Sequence, residues 1–190
     1  PLMPPPVLSA DAVVAAARAC QFAMVGVAPA APLNPAPFLR WLAAGYGTGL
    51  SAMRRRVSER LDPGAVVPGA ATVIALGIPY GAGQDTSGRL DRPVIARYAR
   101  GRDYHLVHRD RMRALRGSLL EMDPTLNTYA CVDAGVAMEK AWAERAGLGW
   151  IGKHGVLVSR LHGSWFTLSV MVINRSVDRY HEPHPRLCGD

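Results

Sequence analysis

Asp133 is the acidic residue best placed for proton transfer, because Val132, Ala134, Val136 and Ala137 surround it with apolar neighbours. An apolar setting favours the neutral, proton-donating form of a carboxyl group. An aspartate immediately ahead of an apolar helix is equally a preferred N-cap, and local sequence favours that role. The segment from Gly147 to Lys153 (GLGWIGK) spaces three glycines so that backbone amides could approach a phosphate or a flat ring. It lacks the spacing and the Ser/Thr of a Walker loop, and it follows a helix rather than a strand, which argues against nucleotide hydrolysis. A ligand-free helix-to-strand connection explains those glycines about as well.

His181, His184 and Cys188 have a spacing compatible with a transition-metal site, but Pro183 and Pro185 keep both histidines off one helical face, and a fourth ligand has no candidate. His105 and His108 share a helix face and read as surface residues. Cys188-Gly189 opens the way a cysteine-rich ferredoxin-type cluster motif does. One cysteine holds no cluster, so the expectation is a fragment of a longer parent, with Cys188 as the first metal ligand. Cys20 and Cys131 sit among apolar residues and are expected in the core.

These groups need a scaffold. Ser9 should cap a helix through Asp11 to about Met24. Asn34 and Pro35 should start a second helix with Phe38, Leu39, Trp41 and Leu42 on its apolar stripe, ended by Gly45 and Gly47. Met53 to Arg60 is basic and helical in pattern, and turns at residues 62–64 and 68–69 precede a buried strand from Thr72 to Tyr80. Gly81 to Arg92 reads as a polar loop. Met112, Leu115, Leu119 and Met122 mark a long helix over 104–122. A strand at 129–132, a helix from Asp133 to Ala146 stopped by Gly147, and paired strands at 156–159 and 165–173 complete the pattern. The alternation predicts an α/β (α+β) fold: a mixed sheet flanked by helices, in a sandwich rather than a regular doubly wound sheet.

With 190 residues, 49% hydrophobic and 19% charged, the chain fits one globular domain and is neither disordered nor membrane-spanning in composition. The proline-rich start lacks the basic region of a signal peptide, and three scattered cysteines make no disulfide framework, both consistent with the cytoplasm. Twenty-two Lys and Arg against 15 Asp and Glu leave a net charge of +7. The arginines cluster at 54–56, 97–102 and 109–116, a distribution suited to a polyanion, although an arginine-rich solvated surface is an equally good account.

Taken together, the RLDP run at Arg60–Pro63, IARYARGRDYH at Ile95–His105, Asp133, ERAGLGWIGKH at Glu144–His154 and GSWF at Gly163–Phe166 resemble the N-terminal domain of the epoxyqueuosine reductases, in order and spacing, over about residues 35–188. The resemblance implies a nitroreductase-like sandwich, also similar to corrinoid reductive dehalogenases, and a cobalamin-dependent enzyme of queuosine synthesis. Such an enzyme reduces the epoxide of epoxyqueuosine at the wobble position of a tRNA anticodon stem-loop. Two 4Fe-4S clusters in the full-length parent, fed by an external electron donor, would supply the electrons. By similarity Asp133 protonates the departing oxygen. Arg60 and Tyr98 face the corrinoid, and Arg97, Lys153, Leu157 and Ser164 extend that shell. Residues 1–180 would form the cobalamin-binding domain of a monomeric protein and 181–190 the start of a truncated cluster domain, leaving the fragment inactive alone. Val136 and the Glu139–Lys140 pair depart from the family pattern near Asp133. The rivals are a corrinoid-binding module without catalysis, a basic RNA-binding domain without cofactor, and a dehalogenase relative.

Overall fold

Two strands of eight residues, β2 (Thr72–Pro79) and β6 (Phe166–Ile173), are so apolar that only a sheet covered on both faces can accommodate them. The computed structural model describes residues 6–81 and 95–189 and places this pair at the centre of an antiparallel sheet ordered β1-β2-β6-β3. In chain order the elements are α1 (Ala10–Ala19), β1 (Met24–Pro29), α2 (Ala36–Ala43), α3 (Ser51–Arg54), α4 (Val57–Leu61), β2, α5 (Tyr104–Met122), β3 (Thr128–Cys131), α6 (Glu139–Arg145), β4 (Trp150–Ile151), β5 (Leu157–Val158) and β6. Single 3-10 turns stand at Pro63–Ala65 and Arg97–Ala99.

Alternation along the strands sorts the core into layers. Ile74 and Leu76 of β2 and Met171 and Ile173 of β6 pack with Val13 and Ala17 of α1 and Met112, Leu115 and Leu119 of α5. Their neighbours Val73, Val170 and Val172 turn to the opposite face and meet Trp142 of α6. The expected α+β sandwich, a sheet flanked by helices, is therefore present, with every strand pair of the four-stranded sheet antiparallel.

Several boundaries differ from expectation. The first helix stops at Ala19, short of Met24, because Gln21 adopts a left-handed backbone (φ 66°) that reverses the chain into β1, a strand the sequence pattern had not marked. The basic stretch from Met53 to Arg60 is two short helices broken at Arg56 (φ 58°). The helix expected from Asp133 begins only at Glu139, since residues 132–138 form a bent loop. Strand β5 pairs with β4 rather than with β6, whose partners are β2 and β3; a lone bridge from Ser159 to Gly163 is what remains of the expected hairpin. Helix α5 has the expected bounds, although Met122 is exposed. Cys131 is buried as expected, whereas Cys20 is only partly so. Beyond Gly81, the polar loop expected to reach Arg92 lies outside the described residues.

The segment after β6 is fastened to the sheet. His181 donates its backbone N–H to the Val27 carbonyl (3.0 Å), and its ring Nδ1 accepts the Val27 N–H (3.1 Å). Upstream, Arg175 is buried and its Nε lies 2.6 Å from Oδ2 of Asp123, the residue that ends α5. Hydrogen bonds from the Thr125 hydroxyl and backbone N–H, then that guanidinium, hold the Asp123 carboxyl below the ordinary aspartate range. A lowered native value stabilises the fold fully above the unfolded aspartate value of about 3.9 and progressively less as pH falls through the native value. Denaturant titrations from pH 6 down to 2 should therefore show a stability loss that is smaller in Asp123→Asn, which is less stable at neutral pH but has no carboxylate to protonate.

Candidate active site

The N-terminal turn of α5, the loop after β3, and strands β5 and β6 enclose a cleft of about 300 Å³. Leu157, Phe166 and Leu168 form its apolar floor, and Tyr80, Tyr98 and Tyr104 line it with aromatic rings. Tyr98 meets both Tyr80 and Tyr104 edge-on, at centroid separations of 6.2 and 6.0 Å. Asp133, Glu139 and Lys140 add the charged groups.

Asp133 is not a helix cap. It sits in a bend with a left-handed backbone (φ 50°), and its side chain is 52% exposed. The apolar neighbours in sequence turn away, Val132 and Val136 into the core. Its Oδ2 accepts a hydrogen bond from the Tyr104 hydroxyl and lies 3.3 Å from His105 Nε2. The environment of the carboxyl is thus polar on one side and open to the cleft on the other, unlike the apolar shell that sequence neighbours suggested. Burial, and then the bond to Asp133, raise the Tyr104 phenol well above its ordinary value, so it remains a donor.

Gly135 is what lets the loop lie so close to β3. A Cβ there would stand 2.6 Å from Cys131 Sγ and 2.8 Å from the Tyr129 hydroxyl, closer than packed atoms allow. Behind the loop, Glu139 is a second carboxyl that sequence reasoning overlooked. Burial and then the Asp133 charge raise its pKa, while bonds from the backbone amides of Glu139 and Asp133 oppose the shift. Its Oε1 also lies 3.8 Å from Cys131 Sγ, and burial, reinforced by that carboxylate, pushes the thiol up to about 12. Cys131 is therefore an inert core thiol.

Of the two α5 histidines, only His105 reaches the surface. His108 is wholly buried between α5 and β6, with Nδ1 2.7 Å from Ser169 Oγ and Nε2 2.8 Å from Thr167 Oγ1. Burial, then the nearby Arg111 charge, lowers its pKa to about 4, so the ring is neutral. Its spacing with Met112, Leu115 and Leu119 was the available signal, because all four share the apolar stripe. His105 is partly exposed and does have an acidic partner in sequence: its Nδ1 lies 2.8 Å from Oδ1 of Asp103, the cap of α5.

Of the other expected site residues, Tyr98 and Leu157 line the cleft with Asp133. Ser164 donates to the Leu157 carbonyl at 2.9 Å, which fixes the floor strand from outside the lining. Arg97 packs its guanidinium over Trp165, 4.7 Å from the ring centroid. Lys153 lies elsewhere, in a hollow shared with Arg186 and Cys188. The sulfur of Cys188 accepts from the Trp150 indole N–H at 3.1 Å. His181 is engaged with Val27, and His184 lies against the Trp150 ring; among the described residues no three His, Cys, Asp or Glu side chains converge as a metal site. Arg60 donates from Nη2 to the Ala52 carbonyl (3.1 Å), while its Nε is buried without a hydrogen-bond partner among the described residues. A larger hollow of about 580 Å³ between α2, α6 and the chain after β6 is lined by His184, with Glu144 and Arg145, but by none of the residues expected at the corrinoid or at Asp133.

Residues 60–134 match the family described as epoxyqueuosine reductase QueG, DUF1730. The epoxyqueuosine reductase of Synechococcus sp. (strain RCC307) is 40% identical over 189 residues, which cover 95% of this chain and 56% of that protein. The chain thus spans little more than half the length of such relatives. A crystal structure of epoxyqueuosine reductase with a tRNA-Tyr epoxyqueuosine-modified tRNA stem loop superposes with a TM-score of 0.81 at 23% identity, covering 94% of this chain and 48% of that one. A reductive dehalogenase structure, described for B12-dependent dehalogenation, gives a TM-score of 0.51 at 18% identity over 97% of this chain and 22% of its own. Both structures share the fold.

Proposed function

This chain belongs to the epoxyqueuosine reductase family, and from that premise we propose that it forms the cobalamin-binding and proton-donating part of an enzyme that reduces epoxyqueuosine to queuosine in tRNA. The observation that carries the reading is the cleft itself, in which one half-exposed carboxyl, held by Tyr104 and His105, stands beside an apolar floor. Reduction of the epoxide to an alkene consumes two electrons and two protons and releases the oxygen as water. Without protonation the opening bond would leave an alkoxide in a poorly solvated cleft, which is costly. Asp133 supplies that proton, and Tyr104 fixes the orientation of its carboxyl.

A corrinoid fits the residues present. The floor of Leu157, Phe166 and Leu168 offers apolar surface to a macrocycle, and the unpartnered Nε of Arg60 is a buried donor suited to an amide or phosphate oxygen. Tyr98 and Leu157 would hold the group at the cleft, with Arg60, Arg97, Lys153 and Ser164 in the wider shell. Cobalamin, when bound, supplies the low-potential cobalt chemistry that opens the epoxide. The B12-dependent neighbour supports this choice of cofactor, and the stem-loop complex of the epoxyqueuosine reductase supports tRNA as the partner. The net charge of +7 suits that polyanion, whose binding should weaken as salt rises.

In the full-length protein, residues 1–180 would be the cobalamin domain and Cys188 the first ligand of the 4Fe-4S region, with an external donor as electron source. No helix among the described residues is long and apolar enough to cross a membrane, and we place the monomeric enzyme in the cytoplasm. Absorption spectroscopy of the full-length protein after cobalamin supplementation, followed by assay on epoxyqueuosine-containing tRNA, tests the reading. A bound corrinoid spectrum and conversion to queuosine are expected. Failure of the purified protein to retain any corrinoid would overturn it.

A further inference from the structure

Asp133 Oδ2 stands beside two proton-bearing groups of α5, the Tyr104 hydroxyl and the His105 ring. Oδ2 accepts the Tyr104 hydroxyl, and His105 Nε2 lies 3.3 Å from it, within ion-pair reach. Asp133 gives one of the two protons that each turnover consumes, the other coming from solvent water, and must then be recharged; Tyr104, with its raised pKa, is a poor source. His105 has the geometry for the task. Its Nδ1 is held by Asp103 Oδ1 at 2.8 Å, its Nε2 lies 3.3 Å from Asp133 Oδ2, and its side chain is 40% exposed to solvent.

We propose that His105, oriented by Asp103, returns the proton to Asp133 after each turnover. The inference rests on Asp133 being the donor to the epoxide oxygen. In the step, the Nε2–H of the doubly protonated ring passes its proton to Asp133 Oδ2, leaving the neutral acid and a neutral ring that keeps Nδ1–H toward Asp103. Water at the exposed edge then reprotonates Nε2, so no electrons move and one proton is carried inward. Asp103 is the cap of α5 and accepts both the ring Nδ1–H and the His105 backbone N–H (2.9 Å), which fixes the ring relative to the helix. The other groups facing this ring are Tyr104, stacked on it at 4.1 Å, neutral His108 one turn along, and Arg109, whose charge acts on Asp103. Of these only Tyr104 reaches Asp133, and its phenol holds its proton too firmly to give it up.

Two measurements test the relay. In the full-length enzyme, His105→Gln should complete a first turnover at nearly the normal rate and then slow by about 100-fold, the scale of a lost proton-transfer group, with partial recovery on adding imidazole. Equal loss in the first and later turnovers, without imidazole rescue, would show that His105 only holds the loop and would overturn the relay. Independently of cofactor, 15N NMR of the 190-residue chain should show the His105 Nε2 resonance shift in Asp133→Ala while Nδ1 stays near its native position. An unmoved Nε2 overturns the proposal. A fully active Asp133→Asn enzyme sinks the underlying donor assignment, whereas a fully active His105→Gln enzyme beside an inactive Asp133→Asn sinks the relay alone.

Discussion

Asp133→Asn in the full-length protein is expected to lower the rate of epoxyqueuosine reduction by about 100- to 10,000-fold, the range lost with a general acid. Asparagine has nearly the same shape, and its amide oxygen can still accept from the Tyr104 hydroxyl, so the loop and the cleft should keep their form. What it cannot do is release a proton of suitable acidity to a departing oxygen. Corrinoid affinity and spectrum should therefore be unchanged while turnover collapses. That separation distinguishes a chemical role from a positional one, because a loop displaced by the mutation would disturb the cofactor as well. A variant that retains its rate within a few-fold would remove Asp133 from the mechanism.

Glu139 does not take over in that variant. Its carboxyl is partly buried in the cleft wall, where the Asp133 backbone N–H ties it to the loop. Burial keeps it inclined to the neutral form, which also limits charge repulsion on Asp133 from behind. The two acids thus occupy different environments a few residues apart. One is held by polar partners at the surface of the cleft, the other ties the loop to the core. The sequence departs from the family pattern at Glu139–Lys140; in the fold, Lys140 reaches across to the Gly155 carbonyl at 2.7 Å and clamps α6 to the β4–β5 hairpin.

Periodicity explains which of these features could be read from the chain alone. Helix α5 was legible to its ends because its apolar residues recur every three or four positions and Asp103 and Asp123 bound it. Strand β2 was legible because eight apolar, β-branched-rich residues fit only a doubly covered strand. The loop at 132–138 was not, since Ala, Val and Met there have the composition of a helix; what prevents one is Gly135 pressed against Cys131 and the left-handed turn at Asp133, both tertiary effects. The same limit misplaced β5, whose true partner depends on β6 already being bonded on both edges. In the site, Asp133, Tyr98 and Leu157 line one cleft, while Lys153 lines a different hollow. His105 was misjudged although its partner Asp103 is two residues away, because only the fold brings Asp133 to the other ring nitrogen.

The rigidity of that arrangement depends on α6, and Trp142→Ala should expose the dependence as a large loss of stability. Trp142 is 2% exposed and fills the space among Val73, Val170, Val172 and Cys131, the face of the sheet opposite α1 and α5. Its ring also carries the Arg145 guanidinium at 4.8 Å, which in turn donates to the carbonyls of Ala31 and Pro32 ahead of α2. Truncating a buried tryptophan costs about 3–5 kcal/mol, a large share of the roughly 5–15 kcal/mol that holds a domain together. For a chain of this size that corresponds to a fall in melting temperature of about 6–20 °C by circular dichroism. Trp142→Phe, which keeps most of the packed ring, should lose much less. The loss should also reach the cleft, because α6 carries Glu139 and Lys140, the two residues that brace the Asp133 loop and the floor hairpin. A shift of under about 2 °C for the alanine variant would mean that α6 is held by something other than this packing.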